Sequence, residues 1–296
     1  MDEKQDGKAG MTHAELVQEL LTLLDVEQLG EHRFRGMRKR GGVGRVYGGQ
    51  VVAQALAAAV KTVDPARAVH SLHSYFLRGG SEDHEIEYRV EADFDGGSFS
   101  NRRVVASQEG RVIFNLAASF HHAEPGHSHQ PDMPDVPAPE DLPTVLEYLE
   151  QHPEHPPRIP NRLYRTASPI EVRCVGVPPF CEATPVEPSL SMWFRAAAPV
   201  EAPQWMHRAL VAYASDFAMI TTALRPHGRF EVQAASLDHS LWFHDDADAG
   251  DWLLYTTESP WTGHARGLTF GRIFDRSGRL VASVAQEGLI RDRSLK

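Results

Sequence analysis

The chain repeats itself at long range. The block HSLHSYFL returns in the second half as SLDHSLWFH, with His73 and Ser74 echoed by His239 and Ser240, an offset of 239 − 73 = 166 residues. Gly110 in EGRVIF and Gly278 in SGRLVA differ by 278 − 110 = 168 residues, the drift that one change of loop length produces. A repeat of this length restricts the fold to two copies of one supersecondary unit.

Each copy reads as a helix followed by an antiparallel meander. After Gly48-Gly49, the residues Val51, Val52, Ala55, Leu56, Ala59, Val60 and Val63 share one helical face, and the alanines allow close approach to a sheet. Ile86, Tyr88, Val90, Ala92 and Phe94 then alternate as a half-buried strand does, Asp95-Gly96-Gly97 signals a turn, and further strands are expected near 102–107 and 112–120. In the second half Met206, Leu210, Tyr213, Phe217, Ile220 and Leu224 mark one long amphipathic helix, ahead of WLLYTTESP, LTFGRIFD and LVASVAQEGLI. Fifteen of the twenty prolines lie from Pro125 to Pro188, so that stretch is not one regular element. The expected organisation is a disordered leader at 1–11, an N-terminal unit at 12–122, a proline-rich linker at 123–188 and a C-terminal unit at 189–296, an α+β chain overall. Pairing the two sheets edge to edge removes two exposed edges and leaves an apolar groove between the units.

Composition narrows the function class. A formal net charge of −10 argues against nucleic-acid binding, which needs clustered Lys and Arg. No apolar run reaches the roughly 18 residues of a membrane span, and MDEKQDGKAG lacks the features of a secretory signal. The chain is therefore expected in the cytoplasm, without membrane association. The last residues, Arg-Ser-Leu-Lys, match a peroxisomal signal in composition but not in order. Cys174 and Cys181, with six residues between them, fit two buried free thiols rather than a disulfide, zinc or redox motif.

Several blocks resemble the acyl-CoA thioesterase II family. YGGQVVAQAL, HSLHSYFLRGG, DGGSFSNRRVVASQ and IFNLAASF are similar to its N-terminal half; YASDF, SLDHSLWFH, DWLLY, ARGL and LVASVAQEGLIR are similar to its C-terminal half. The likeness runs from about Arg33 to Arg291. It implies a double hot-dog fold, in which a curved antiparallel sheet wraps each long central helix, and hydrolysis of medium- to long-chain fatty acyl-CoA without metal or other cofactor. It also implies a catalytic Asp, Ser or Thr, and Gln, which fall on Asp216, Ser236 and Gln286. Ser236 stands where many bacterial members carry threonine, and RGG at 78–80 replaces a frequent Arg-Pro-Gly. A homo-oligomer is expected by the same analogy.

Taken without the resemblance, Asp216 reads as a solvated helix residue, Gln286 as a satisfied core amide, and Ser236 carries no signal. Together, a carboxylate, a hydroxyl and a carboxamide can hold one water and aim it at a carbonyl, with Asp216 as the base. The alternation of the last strand puts Gln286 on the face of Val284 and Gly288. An acyl-enzyme route is disfavoured because no Gly-x-Ser-x-Gly elbow occurs. His73 and His239 read as repeated structural residues. His121, His122, His127 and His129 fit a surface loop better than a metal site, the glycine-rich 41–49 a flexible lead into the helix, and Asp245, Asp246, Asp248 and Asp251 a solvated turn. Arg78, Arg102, Arg103 and Arg266 are candidates for the CoA phosphates. The alternatives are a non-enzymatic acyl-CoA sensor and a hot-dog enoyl-CoA hydratase.

Overall fold

The structure, a computed structural model, describes residues 10–157, 167–182, 184–228 and 232–293. The expected leader therefore lies outside the described residues as far as residue 9, as do the last three residues of the chain.

The first half contains α1 (His13–Leu24), β1 (Val26–Gly30), β2 (Arg33–Gly36), α2 (Gly48–Val60), β3 (Ala68–Phe76), β4 (Ile86–Asp95), β5 (Phe99–Gln108) and β6 (Arg111–His121). A short α3 (Val145–Gln151) and β7 (Ile170–Cys174) lie within the proline-rich stretch. The second half contains β8 (Ser189–Ala196), α4 (Gln204–Ser215), α5 (Met219–Leu224), β9 (Val232–Ser236), β10 (Asp238–Phe243), β11 (Leu253–Gly263), β12 (Arg266–Asp275) and β13 (Leu280–Asp292).

All the described strands join one antiparallel sheet in the order β1-β2-β4-β5-β6-β3-β10-β13-β12-β11-β8-β7, with β9 added on β13. Read outward from its centre, the order is the same on both sides: β3 answers β10, β6 answers β13, and β5 answers β12. The central seam is the β3–β10 pair, in register from Asp238 opposite Tyr75 to Trp242 opposite Ser71. Neither half keeps a free edge there, which is how fusion removes the aggregation hazard of an open strand.

The curved sheet encloses α2, buried from Gly49 through Ala59, and α4, buried from Met206 through Ala212 and again at Ala214 and Ser215. A helix covered on every side explains the run of alanines. Side chains larger than methyl would hold it off both the sheet and its neighbouring helix.

Two expectations need correction. The apolar stripe from Met206 to Leu224 is not one helix, because α4 stops at Ser215 and Ala218 adopts a left-handed backbone with φ 61° before α5 begins. Alanine pays a steric cost in that region, so tertiary packing rather than local propensity imposes the break. His73 and His239 are also not structurally equivalent. His73 is exposed, with Nδ1 3.1 Å from Ser240 Oγ, whereas His239 is fully buried. A shift of one residue reverses a strand's faces, so the matching letters occupy opposite sides of the sheet.

Candidate functional site

The break after α4 creates the site. Asp216 caps the C-terminus of α4, and its side chain meets the N-terminus of α2 from the other half: Gly49 N–H donates to Asp216 Oδ2 at 3.0 Å. An N-terminal N–H of a helix lacks an intrahelical acceptor and favours an anion. Gly48-Gly49 is required here by close approach rather than flexibility. A methyl on Gly48 would stand 2.7 Å from Asp216 Oδ2, and one on Gly49 would stand 2.3 Å from the Tyr213 carbonyl oxygen. The latter contact cannot relax, because the opposing atom is backbone. We expect Gly49→Ala to destabilise the protein by about 2 kcal/mol or more, read as a lowered denaturant midpoint; an unchanged midpoint would contradict this packing.

Ser236 ends β9 and lies opposite Gly288 of β13, which brings it within two residues of Gln286 along the neighbouring strand. The structure thus brings all three sequence-picked side chains together. Ser236 Oγ donates to Asp216 Oδ1 at 3.4 Å, and Gln286 Nε2 donates to Ser236 Oγ at 3.1 Å. Gln286 is buried, on the face of Val284 and Gly288, in keeping with the alternation of the strand. Asp216 keeps a partly accessible face. Burial of its carboxylate dominates and pushes its pKa up to about 6, with hydrogen bonds from Gln286, Gly49 and Ser236 pulling in the opposite direction.

The surroundings are largely aromatic. Tyr47 O–H donates to the Tyr213 carbonyl at 2.9 Å, its ring meets those of Tyr213 and Phe217, and Phe76 approaches Gly48. Tyr47 and Phe76 come from the first half, and the acid, hydroxyl and amide from the second. The corresponding buried positions of β6 (Phe114, Leu116, Ala118 and Phe120) are apolar. The second half alone therefore carries the polar cluster.

The arginines are not gathered in this way. Arg102 is buried and committed to Asp95, Thr62 and the Phe94 carbonyl, which removes it from the phosphate candidates. Arg103 pairs with Glu91 and Asp93, Arg266 pairs with Glu287 over the Trp261 ring, and Arg78 donates to the Val112 carbonyl. Cys174 and Cys181 are buried and form no disulfide. A surface groove of about 470 Å³ between α1 and the start of α4, lined by Leu21, Met37 and Trp205, contains none of the three site residues. No helix among the described residues is long and apolar enough to cross a membrane.

Sequence reasoning misses two participants. Gly49 is legible only as part of a glycine-rich lead, although a glycine pair opening an otherwise Ala/Val helix is a signal for close backbone approach. His239 reads as structural, yet its Nδ1 lies 2.7 Å from Gln286 Oε1.

A long helix enclosed by antiparallel sheet, present twice and fused through β3 and β10, defines a double hot-dog protein with one polar site at the junction of its halves. Profiles of the acyl-CoA thioesterase N-terminal and C-terminal domains match residues 38–121 and 139–290. The chain is 42% identical over 280 residues to acyl-coenzyme A thioesterase 8 of Homo sapiens, covering 91% of this chain and 88% of that one. It is 36% identical over 282 residues to acyl-CoA thioesterase 2 of Haemophilus influenzae, covering 94% and 99%. The crystal structure of an acyl-CoA thioesterase II from Mycobacterium marinum superposes with a TM-score of 0.77 at 39% identity, covering 95% and 100%. A hot-dog protein from Alicyclobacillus acidocaldarius shares the fold at 18% identity and a TM-score of 0.73. The chain belongs to the acyl-CoA thioesterase family, a family of thioester hydrolases.

Proposed function

We propose that this protein hydrolyses medium- to long-chain fatty acyl-CoA to the free acid and CoA, using water activated by Asp216 and oriented by Ser236 and Gln286. The observation that carries this reading is the desolvated Asp216 carboxylate, set against a hydroxyl and an amide at the end of a helix break. A carboxylate of raised pKa is a stronger base than one in bulk water.

Asp216 takes a proton from water as the water oxygen bonds to the thioester carbon. The tetrahedral intermediate then expels the sulfur, the C–S bond breaks, and the proton held by Asp216 returns to the departing thiolate. Apolar walls around Tyr47, Phe76 and Phe217 favour the acyl chain over water. Arg78, Arg103 and Arg266 are proposed for the CoA phosphates, each retaining exposed side-chain surface while it holds its present partner. In this reading 12–122 and 189–296 are the two hot-dog units, joined by 123–188, and the protein works in the cytoplasm as a homo-oligomer. No cofactor is assigned to the reaction.

The test is release of free thiol from lauroyl-CoA. We expect turnover by wild type and its near-complete loss in Asp216→Ala. Tight acyl-CoA binding with no thiol released would instead make the protein a sensor, and loss of the enoyl chromophore from an unsaturated acyl-CoA without thiol release would make it a hydratase.

A further inference from the structure

His239 is a fully buried histidine near the start of β10, and the hydrolysis described above gives it no task. Both ring nitrogens are occupied. Nδ1 lies 2.7 Å from Gln286 Oε1, and Nε2 lies 2.8 Å from Ser215 Oγ. Burial lowers the pKa to about 4, so the ring is neutral at physiological pH and carries one proton.

The position of that proton follows from the far end of the chain of contacts. A carboxylate at Asp216 accepts only, so Ser236 must use its single proton toward Oδ1. The Ser236 oxygen then needs a donor, which is the Gln286 NH2 group. This turns the Gln286 carbonyl toward His239, and Nδ1 must be the protonated nitrogen. Nε2 is left as an acceptor for the Ser215 hydroxyl, for which the Ala212 carbonyl at 2.9 Å competes. The donors run in one direction: Ser215, His239, Gln286, Ser236, Asp216. A carboxamide is otherwise nearly symmetric in shape. If it flipped, its oxygen would face Ser236 and the Asp216 carboxylate, and Ser236 would have to choose between two acceptors.

We propose that His239 is a positioning residue, whose Nδ1–H fixes the Gln286 carboxamide with its NH2 group toward Ser236 and Asp216. The first half shows that the fold does not demand a histidine here, because the buried positions of β3 are Val69, Ser71, Leu72 and Ser74. The proposal rests on the assignment of Asp216, Ser236 and Gln286 to the reaction.

The experiment uses two neutral isosteres, assayed by thiol release from lauroyl-CoA, with folding checked by circular dichroism. Asparagine places an amide N–H near the site of Nδ1–H, whereas glutamine reaches the site of Nε2 and offers nothing at Nδ1. We expect His239→Gln to lower kcat about 100-fold, the scale of a misplaced catalytic group, with KM little changed. His239→Asn should stay within about tenfold of wild type. In a Gln286→Ala background, His239→Gln should cost no more than about twofold further, because the group that it orients is gone; loss of a merely structural residue would multiply through both backgrounds. Equal loss in both backgrounds, or wild-type kcat for His239→Gln, overturns the proposal. Should His239→Gln fail to fold, a folded His239→Asn with kcat down 100-fold or more overturns it equally, and retention of activity supports it. Wild-type kcat in Gln286→Ala alone would instead overturn the assignment of the site.

Discussion

Asp216→Asn will lower kcat by about 10³-fold, within the range supplied by a general base, and will at the same time make the folded protein more stable above pH 6. The two effects have one cause. Folding carries the Asp216 carboxylate from water into a site where its pKa rises from 3.8 to about 6. Between those values the folded protein binds more protons than the unfolded chain, so stability falls as pH rises through that interval. Above pH 6 the ionised group costs about 1–3 kcal/mol, a penalty that asparagine does not carry. Well below 3.8 the acid is neutral in the folded and the unfolded state alike, so most of the difference between variant and wild type should already be gone at pH 4. Urea unfolding at pH 7 and pH 4 checks the stability half, and thiol release checks the kinetic half. An asparagine variant as active as wild type would remove Asp216 from the chemistry.

The pH profile gives the second large effect. Only ionised Asp216 can accept a proton from water, so kcat should fall about tenfold for each pH unit below a midpoint near 6. His239, with its pKa lowered to about 4, contributes no limb near the midpoint. The hydrogen bonds from Gln286 and Ser236 hold the Asp216 pKa down against burial. Removing either should therefore move the midpoint to higher pH, in addition to lowering the plateau. Measured rate profiles of wild type, Ser236→Ala and Gln286→Ala read this directly. A midpoint that moves to lower pH in either variant would contradict the electrostatics of the site.

Much of this arrangement is legible in the amino-acid sequence, and the reasons are specific. The strand alternation that places Gln286 on the face of Val284 and Gly288 follows from the two-residue period of a pleated strand, which runs unbroken from Ala282 to Ile290. The pairing of two sheets follows from the repeat, since two half-sheets with open edges satisfy each other. The helix break at Phe217-Ala218 is not legible. No glycine or proline marks it, and the apolar stripe runs through Asp216 as though one helix continued to Leu224. The left-handed backbone at Ala218 is imposed by neighbours distant in sequence, such as Thr269, whose hydroxyl donates to the Met219 carbonyl at 2.9 Å, and Tyr255, which donates to the Ser215 carbonyl at 2.6 Å.

The histidine repeat misleads for a related reason. Letter matching aligns His73 with His239, but strand register decides which face a residue occupies, and one residue of slippage separates an exposed ring from a buried one. Ser236 carries no pattern of its own. Its place beside Asp216 depends on β9 joining β13 at Gly288, a pairing that neither segment announces. Among the arginines, burial of Arg102 against Asp95 is invisible in the sequence, because charge alone does not say which cation is already satisfied.

The most direct measurement of the central claim is a single turnover in water labelled with heavy oxygen, followed by mass spectrometry of both the fatty acid and the peptide containing Asp216. Water activation by Asp216 places the label in the fatty acid and leaves the Asp216 peptide unlabelled. Label recovered in the Asp216 carboxyl group would mean that the carboxylate itself attacked the thioester, and would contradict the account.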